Sequence, residues 1–240
     1  MIGLTALVGA GEYLPTMDVV DRRLLAETNG RPARVVCIPA AAGQEGEASV
    51  ERWSQMGVAH FRRLGAEAAS ARITHRVSAD DPQWAALIGA ADLIYFSGGD
   101  PLYLYRTVAD TRAWAAVEAA WARGAVFAGC SAGAMILGAV VPDVADEALS
   151  LHPAFNKLPN CLILPHFDRL ETFRPGATAF IRSRLGDGHA QSALGIDEHT
   201  ALVGRIGGEW EVMGAGSVSL MTRDEVVVYR TGSRITLPDG

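Results

Sequence analysis

The chain has 240 residues and a formal net charge of −6, with 49% hydrophobic and 20% charged residues. This composition is typical of a globular protein, and no run of Lys and Arg could follow a phosphate backbone, so no nucleic-acid partner is expected. No apolar stretch reaches the roughly 20 residues of a membrane-spanning helix, so no membrane partner is expected either.

The N-terminal segment and the cysteines predict a cytoplasmic protein. Residues 1–8 lack the basic start and the cleavage site of a signal peptide, and they predict a buried first strand instead. Cys37, Cys130 and Cys161 each lie inside an apolar run, which is typical of reduced, buried thiols. Neither the cysteines nor the six histidines have metal-ligand spacing, so we expect no metal and no other cofactor.

Short apolar runs alternate with longer segments of helical periodicity over the first two thirds of the chain. Residues 34–38, 92–96 and 125–128 have the length and bulk of buried parallel strands. Between them, apolar residues recur at helical spacing over 50–64 and 114–121. The alternation predicts a doubly wound α/β fold with a mostly parallel sheet and helices on both faces.

The pattern changes after about residue 190, where strand-like runs are separated by glycine-rich turns. These runs cover 193–197, 200–203, 210–213 and 226–229. They predict an antiparallel extension at the edge of the sheet. Because no linker, low-complexity tract or internal repeat interrupts the sequence, residues 1–240 are predicted to form a single domain.

Residues 129–133 have the sequence Gly-Cys-Ser-Ala-Gly and lie between the strand 125–128 and an apolar helix that should start near Ala132. This is the context of a nucleophile elbow, in which Ser131 would occupy a strained strand-to-helix turn. The N–H of Ala132 is then the expected oxyanion donor. The alternatives are a tight turn in which Ser131 only caps the helix, and Cys130 as nucleophile, although its side chain should point into the core.

A second glycine-rich turn, residues 97–101, follows the strand 92–96. The exits of parallel strands lie together at the carboxyl edge of a sheet, where ligands bind. An N–H of Gly98 or Gly99 is therefore a candidate second oxyanion donor. Asp100 is also expected to cap a helix that starts with the following proline, and the two roles are compatible.

A serine nucleophile needs a general base, which is most often a histidine. His166 lies two residues after the end of the buried strand 161–164, which would place it on the same sheet edge as Ser131. The other histidines lie in helical, polar or loop segments, and they are His60, His75, His152, His189 and His199.

The residues alone leave the acid partner of His166 open. Glu198 follows another predicted strand, and Asp197 beside it would face the opposite side of an extended chain. Asp146 is the alternative acid, and it lies with Asp143 between Ser131 and His166, which is the triad order of α/β-hydrolase esterases.

Four motifs together resemble the cyanophycinase and dipeptidase E family of serine peptidases, which is related in fold to class I glutamine amidotransferases. The motifs cover 95–100, 129–134, 165–167 and 195–202, and the likeness extends from the first strand to about residue 203. The cyanophycinase branch implies Ser131 as nucleophile, His166 as base and Glu198 as acid. The dipeptidase E branch would take its acid near Asp146. The intact motif 195–202 favours Glu198.

The resemblance implies hydrolysis of small peptides or amides through an acyl-enzyme, as an exopeptidase or dipeptidase. Cyanophycin is not the expected substrate, because Pro101 and the pair Leu164-Pro165 replace polar residues that grip it in that branch. Asp100, Arg169 and Arg174 are the candidate substrate-binding residues, and the two arginines are suited to a substrate carboxylate.

Two further interpretations stay open. A non-catalytic relative could bind a small molecule or a partner in the same cleft, and an α/β-hydrolase-type esterase would use Asp146. The expected partner is a small peptide or amide substrate, and a homodimer is compatible with the sequence.

Overall fold

The computed structural model describes residues 2–28, 32–146, 148–188 and 190–237 of the chain, so His189 lies outside the described residues. The helices are α1 (Asp18–Leu25), α2 (Glu47–Arg63), α3 (Arg76–Ala79), α4 (Pro82–Gly89), α5 (Pro101–Val108), α6 (Arg112–Ala122), α7 (Ala132–Met135), α8 (Leu170–Phe173) and α9 (Ala177–Arg184). Short 3-10 helices cover Pro15–Met17, Ala40–Glu45 and Phe167–Arg169.

Within the described ranges the strands form three sheets. They are β1 (Thr5–Val8), β2 (Arg34–Ile38), β3 (Glu67–Ser70), β4 (Leu93–Phe96), β5 (Val126–Cys130), β6 (Val140–Pro142), β7 (Leu151–Pro153), β8 (Cys161–Leu164), β9 (Ser192–Ile196), β10 (Thr200–Gly204), β11 (Glu209–Gly214), β12 (Ser217–Met221), β13 (Val226–Arg230) and β14 (Arg234–Thr236). β6 and β7 form a two-stranded sheet of their own.

The central sheet has eight strands in the order β14-β11-β10-β1-β5-β4-β2-β3. The five strands from β1 to β3 in this order are parallel. From β1 the sheet continues in antiparallel pairing through β10, β11 and β14. The predicted α/β fold, a mostly parallel sheet with an antiparallel C-terminal extension, is therefore confirmed.

Both faces of the central sheet are covered by helices. In β4, Ile94 and Phe96 pack into an apolar cluster with α4, α5 and α6, whereas Leu93 and Tyr95 pack on the other face with α1 and α2. Successive side chains of a strand point to opposite faces, and both sets are buried here. This explains why the parallel strands appear in the sequence as uninterrupted apolar runs.

β8, β9 and β13 do not belong to the central sheet, which corrects the expected place of the runs 161–164, 193–197 and 226–229. They lie in a separate four-stranded sheet, in the order β13-β12-β9-β8, in which β8 and β9 pair in parallel. The chain then passes from β9 through the turn 197–199 into β10 of the central sheet. His166 therefore approaches Ser131 from a second sheet. The sequence could not predict this, because a buried apolar run does not specify which strand it pairs with.

No described helix is long and apolar enough to cross a membrane. Two helices on one face of the central sheet are joined by a buried polar pair. Asp21 of α1 and His60 of α2 are 2.7 Å apart between Oδ2 and Nε2, and their side chains are only 1% and 2% exposed. Burial raises the pKa of Asp21, and the hydrogen bond with His60 opposes this shift.

We expect Asp21→Ala to lower the free energy of unfolding by roughly 3 kcal/mol, because the buried Nε2 of His60 then loses its hydrogen-bond partner. The measurement is urea denaturation at neutral pH. Glu209→Ala is the control, since Glu209 pairs with Arg234 at the exposed surface and should have a much smaller effect. Equal destabilisation by the two variants would contradict the importance of the buried pair.

Candidate active site

Ser131 occupies the turn between β5 and α7 in a backbone conformation that L-residues rarely adopt, with φ 50° and ψ −112°. The packing around the turn enforces it. A Cβ on Gly129 would lie 2.2 Å from the carbonyl oxygen of Gly133, and a Cβ on Gly133 would lie 2.7 Å from that of Phe96. The Ser131 N–H also donates to the carbonyl of Val8 at 2.9 Å. The helix starts at Ala132 as expected, but it is only four residues long.

The structure brings Ser131, His166 and Glu198 together in one hydrogen-bonded row. The Nε2 of His166 lies 3.2 Å from the Ser131 Oγ, and its Nδ1 lies 2.8 Å from Oε1 of Glu198. With the proton on Nδ1, the imidazole donates to Glu198 and accepts from the Ser131 hydroxyl. The imidazole and the carboxylate are 34% and 31% exposed, so a small molecule can reach the row. A hydroxyl, an imidazole and a carboxylate in this order can act as nucleophile, base and orienting acid.

The turn that carries Glu198 is fixed from two sides. The Glu198 N–H donates to Oδ1 of Asp168 at 2.8 Å, which ties the turn to the segment just after His166. Oδ2 of the neighbouring Asp197 accepts from both the N–H and the hydroxyl of Ser217, at 2.8 and 2.7 Å. Asp197 is therefore bonded to β12. The sequence analysis missed Asp168, whose only signal in the sequence is its position two residues after His166.

Asp146, the alternative acid, is bonded within its own loop. Its carboxylate accepts from the hydroxyl and N–H of Ser150 and from the N–H of Ala148. These bonds, first of all the one from the Ser150 hydroxyl, hold the pKa of Asp146 below its usual value. The Nδ1 of His166 meets Glu198 instead.

The expected oxyanion donors come from the turn 97–101 and from Ala132, which follows the serine. Gly98 packs directly against it, because a Cβ on Gly98 would be 3.2 Å from the Ser131 Cβ and 3.7 Å from its Oγ. The Gly98 N–H is already used, since it donates to Oε1 of Glu12 at 2.8 Å. Of the two glycines, this leaves Gly99 as the candidate donor. The other candidate donor is Ala132, the first residue of α7.

Cys130, the alternative nucleophile, is fully buried as expected. Its Sγ lies 3.0 Å from Oε2 of Glu12. Burial, and then the charge of Glu12, raise the pKa of Cys130 well above its ordinary value, so it stays a thiol at neutral pH and is a poor nucleophile. The sequence analysis gave no role to Glu12.

Asp100 caps α5 as predicted. Its Oδ1 accepts from the N–H of Tyr103 at 2.8 Å, and Pro101 is the first residue of the helix. Its Oδ2 accepts from Nε2 of Gln44 at 2.9 Å. Asp100 thus follows Gly99 in the turn before α5, and its carboxylate is held by two donors.

The two candidate arginines lie in the segment after His166. Arg169 is exposed in the 3-10 turn, and Arg174 is exposed just beyond the end of α8. Phe173, which the sequence analysis missed, is 64% exposed, and its ring meets the imidazole of His166 edge-on, with 6.1 Å between the ring centroids. No three His, Cys, Asp or Glu side chains of the described residues are grouped so that they could hold a metal ion.

Comparison with known proteins gives three findings. The family model for peptidase family S51 matches residues 6–210. A crystal structure of a peptidase from an acI-B1 Actinobacterium superimposes with a TM-score of 0.89 and 36% identity, covering 99% of this chain and 98% of that one. A candidate peptidase E from Listeria monocytogenes EGD-e shares the fold, with a TM-score of 0.61, 20% identity and coverage of 97% and 100%. No curated protein matches.

The strain at Ser131 predicts a stability difference between two variants that both lack the hydroxyl. We expect Ser131→Gly to be more stable than Ser131→Ala by about 1 kcal/mol, because glycine tolerates this φ and ψ while alanine keeps the strained Cβ. Urea denaturation of the two variants measures the difference. An alanine variant as stable as the glycine variant would contradict a strained turn.

Proposed function

Because the chain belongs to peptidase family S51, it is a peptidase, and we propose that it works as a serine hydrolase through an acyl-enzyme on Ser131. The observation that carries the proposal is the row of hydrogen bonds from Ser131 through His166 to Glu198. In this row each group has the partner that its proposed role requires. The strained turn supports it further, since it presents the hydroxyl in front of the imidazole.

In the acylation step, Nε2 of His166 takes the Ser131 proton as Oγ attacks the carbonyl carbon of the scissile amide. Glu198 accepts a hydrogen bond from the Nδ1–H of His166 and stabilises the imidazolium that forms. The negative charge on the carbonyl oxygen rests on the N–H groups of Ala132 and Gly99. His166 then gives its proton to the amine nitrogen, the carbon–nitrogen bond breaks, and the acyl group stays on Ser131.

In the deacylation step, a water molecule replaces the departed amine. Nε2 of His166 takes a proton from this water while its oxygen attacks the acyl ester of Ser131. The same two N–H groups stabilise the second tetrahedral intermediate. Return of the proton from His166 to Oγ releases the carboxylic acid and restores the free enzyme.

We propose small peptides as substrates, cleaved in the manner of an exopeptidase or dipeptidase. Charged side chains that follow Gly99 and His166 in the chain support this choice, because a free peptide end brings its own charge to the site. Arg169 and Arg174 suit a substrate carboxylate, and Asp100 suits an ammonium group. The three buried free thiols fit a reducing compartment, so we place the enzyme in the cytoplasm.

A second candidate function is an esterase of the α/β-hydrolase type with Asp146 as its acid. The bonds of Asp146 to Ser150 and Ala148 argue against it, because they use the carboxylate within its own loop. The pairing of Glu198 with His166 argues in the same direction.

The two acids can be compared by isosteric substitution. We expect Glu198→Gln to lower kcat by roughly 10³-fold or more, because an amide cannot stabilise the imidazolium and favours the wrong tautomer. Asp146→Asn should leave kcat close to that of the wild type. The assay is amine release from a dipeptide library with aspartyl, isoaspartyl and arginine-containing members. Loss of turnover only in Asp146→Asn would refute Glu198 as the acid, and no turnover by the wild type on any member would refute the peptidase proposal.

A further inference from the structure

Glu12 is a buried carboxylate next to the proposed site that the mechanism does not use. Only 8% of its surface is exposed. Its Oε1 accepts from the N–H of Gly98 at 2.8 Å, and its Oε2 accepts from the thiol of Cys130 at 3.0 Å. Gly98 precedes the oxyanion donor Gly99, and Cys130 precedes the nucleophile Ser131. Each carboxylate oxygen of Glu12 thus accepts a hydrogen bond from the residue that precedes a proposed catalytic group.

The burial of Glu12 calls for a reason beyond packing. Taking a carboxylate out of water is costly unless it is well paired, and the two groups bonded to Glu12, a backbone N–H and a thiol, are not cations. The thiol of Cys130 stays protonated because burial and the nearby carboxylate raise its pKa, so it remains a donor. A neutral side chain would bridge the same two segments at a lower cost of desolvation.

The turn that carries Glu12 also contacts the turn that carries Glu198. The carbonyl of Ala10 accepts from the N–H of His199 at 3.1 Å. Gly11 has φ +90°, and a Cβ there would lie 2.5 Å from Nδ1 of His199, so no side chain fits. Residues 9–12 are therefore in contact with all three segments that supply the proposed nucleophile, oxyanion donor and acid.

We propose that Glu12 is a positioning residue, whose carboxylate fixes the Gly98 peptide relative to the serine turn. In this position the Gly99 N–H and the Ser131 Oγ can both reach the same carbonyl group of the substrate. This inference rests on the proposed function. The space between the segments is small, because a Cβ on Gly98 would lie 3.1 Å from Oε1 of Glu12 and 3.2 Å from the Ser131 Cβ. A shift of the carboxylate therefore moves the glycine relative to the nucleophile.

Glu12→Gln is the first test, because it keeps the shape of the side chain but replaces one acceptor oxygen with a donor. We expect kcat to fall about tenfold to a hundredfold, less than the loss of a whole oxyanion donor, while KM stays within about twofold. Asp21→Asn is the matched control, since Asp21 is another buried carboxylate but bonds to His60. It should lower stability and leave kcat close to the wild type.

Two substitutions of Cys130 keep the proposal testable if Glu12→Gln does not fold. Cys130→Ser retains a donor for Oε2 of Glu12, and Cys130→Ala removes it. We expect the serine variant to keep kcat close to the wild type and the alanine variant to lose about tenfold with little change of KM. Equal kcat in these two variants would overturn the positioning role.

Amide hydrogen exchange at Gly98 gives a readout that needs no turnover. A bond to a carboxylate is stronger than one to a neutral amide, so exchange at Gly98 should be faster in Glu12→Gln than in the wild type. A wild-type protein without peptidase turnover would overturn the proposed function and this inference with it. A wild type with turnover, together with a Glu12→Gln variant of unchanged kcat, would overturn the positioning role alone.

Discussion

The close approach of β5 and α7 is the constraint on which the proposed site depends. Gly129 and Gly133 meet at a distance that excludes any side chain, and Ser131 between them turns with a positive φ. The turn is bonded to β1 through the Ser131 N–H, so it is held by the buried centre of the sheet. Strain at Ser131 is therefore supported by packing that a single surface change cannot relieve.

The second constraint is the meeting of two sheets. Ser131 follows a strand of the central sheet, whereas His166 follows β8 of the four-stranded sheet. Glu198 lies in the turn that joins the two sheets, between β9 and β10. Gly9 shows how tightly this seam is packed, since a Cβ there would lie 2.1 Å from the carbonyl oxygen of Asp197. The hydrogen-bonded row is thus assembled where the two sheets come together.

The sequence predicted those features that depend on local residue types. The buried parallel strands, the glycines at 129 and 133 and the cap at Asp100 each follow from a few adjacent residues. The sheet membership of β8 was predicted wrongly, because strand pairing depends on distant segments. Glu12 was missed for the same reason, since its partners Gly98 and Cys130 lie 86 and 118 residues away. The choice of Glu198 over Asp146 needed the family resemblance, since the residues alone left it open.

The most direct test of the account is to locate the nucleophile with a fluorophosphonate probe. Trypsin should release residues 124–157 as one peptide, which contains both Cys130 and Ser131, so fragmentation must assign the modified residue. We predict one phosphonyl group per chain on Ser131 and none in the folded Ser131→Ala variant. A folded wild-type protein that stays unlabelled, or that carries the group on Cys130, would contradict the assignment of Ser131 as the nucleophile.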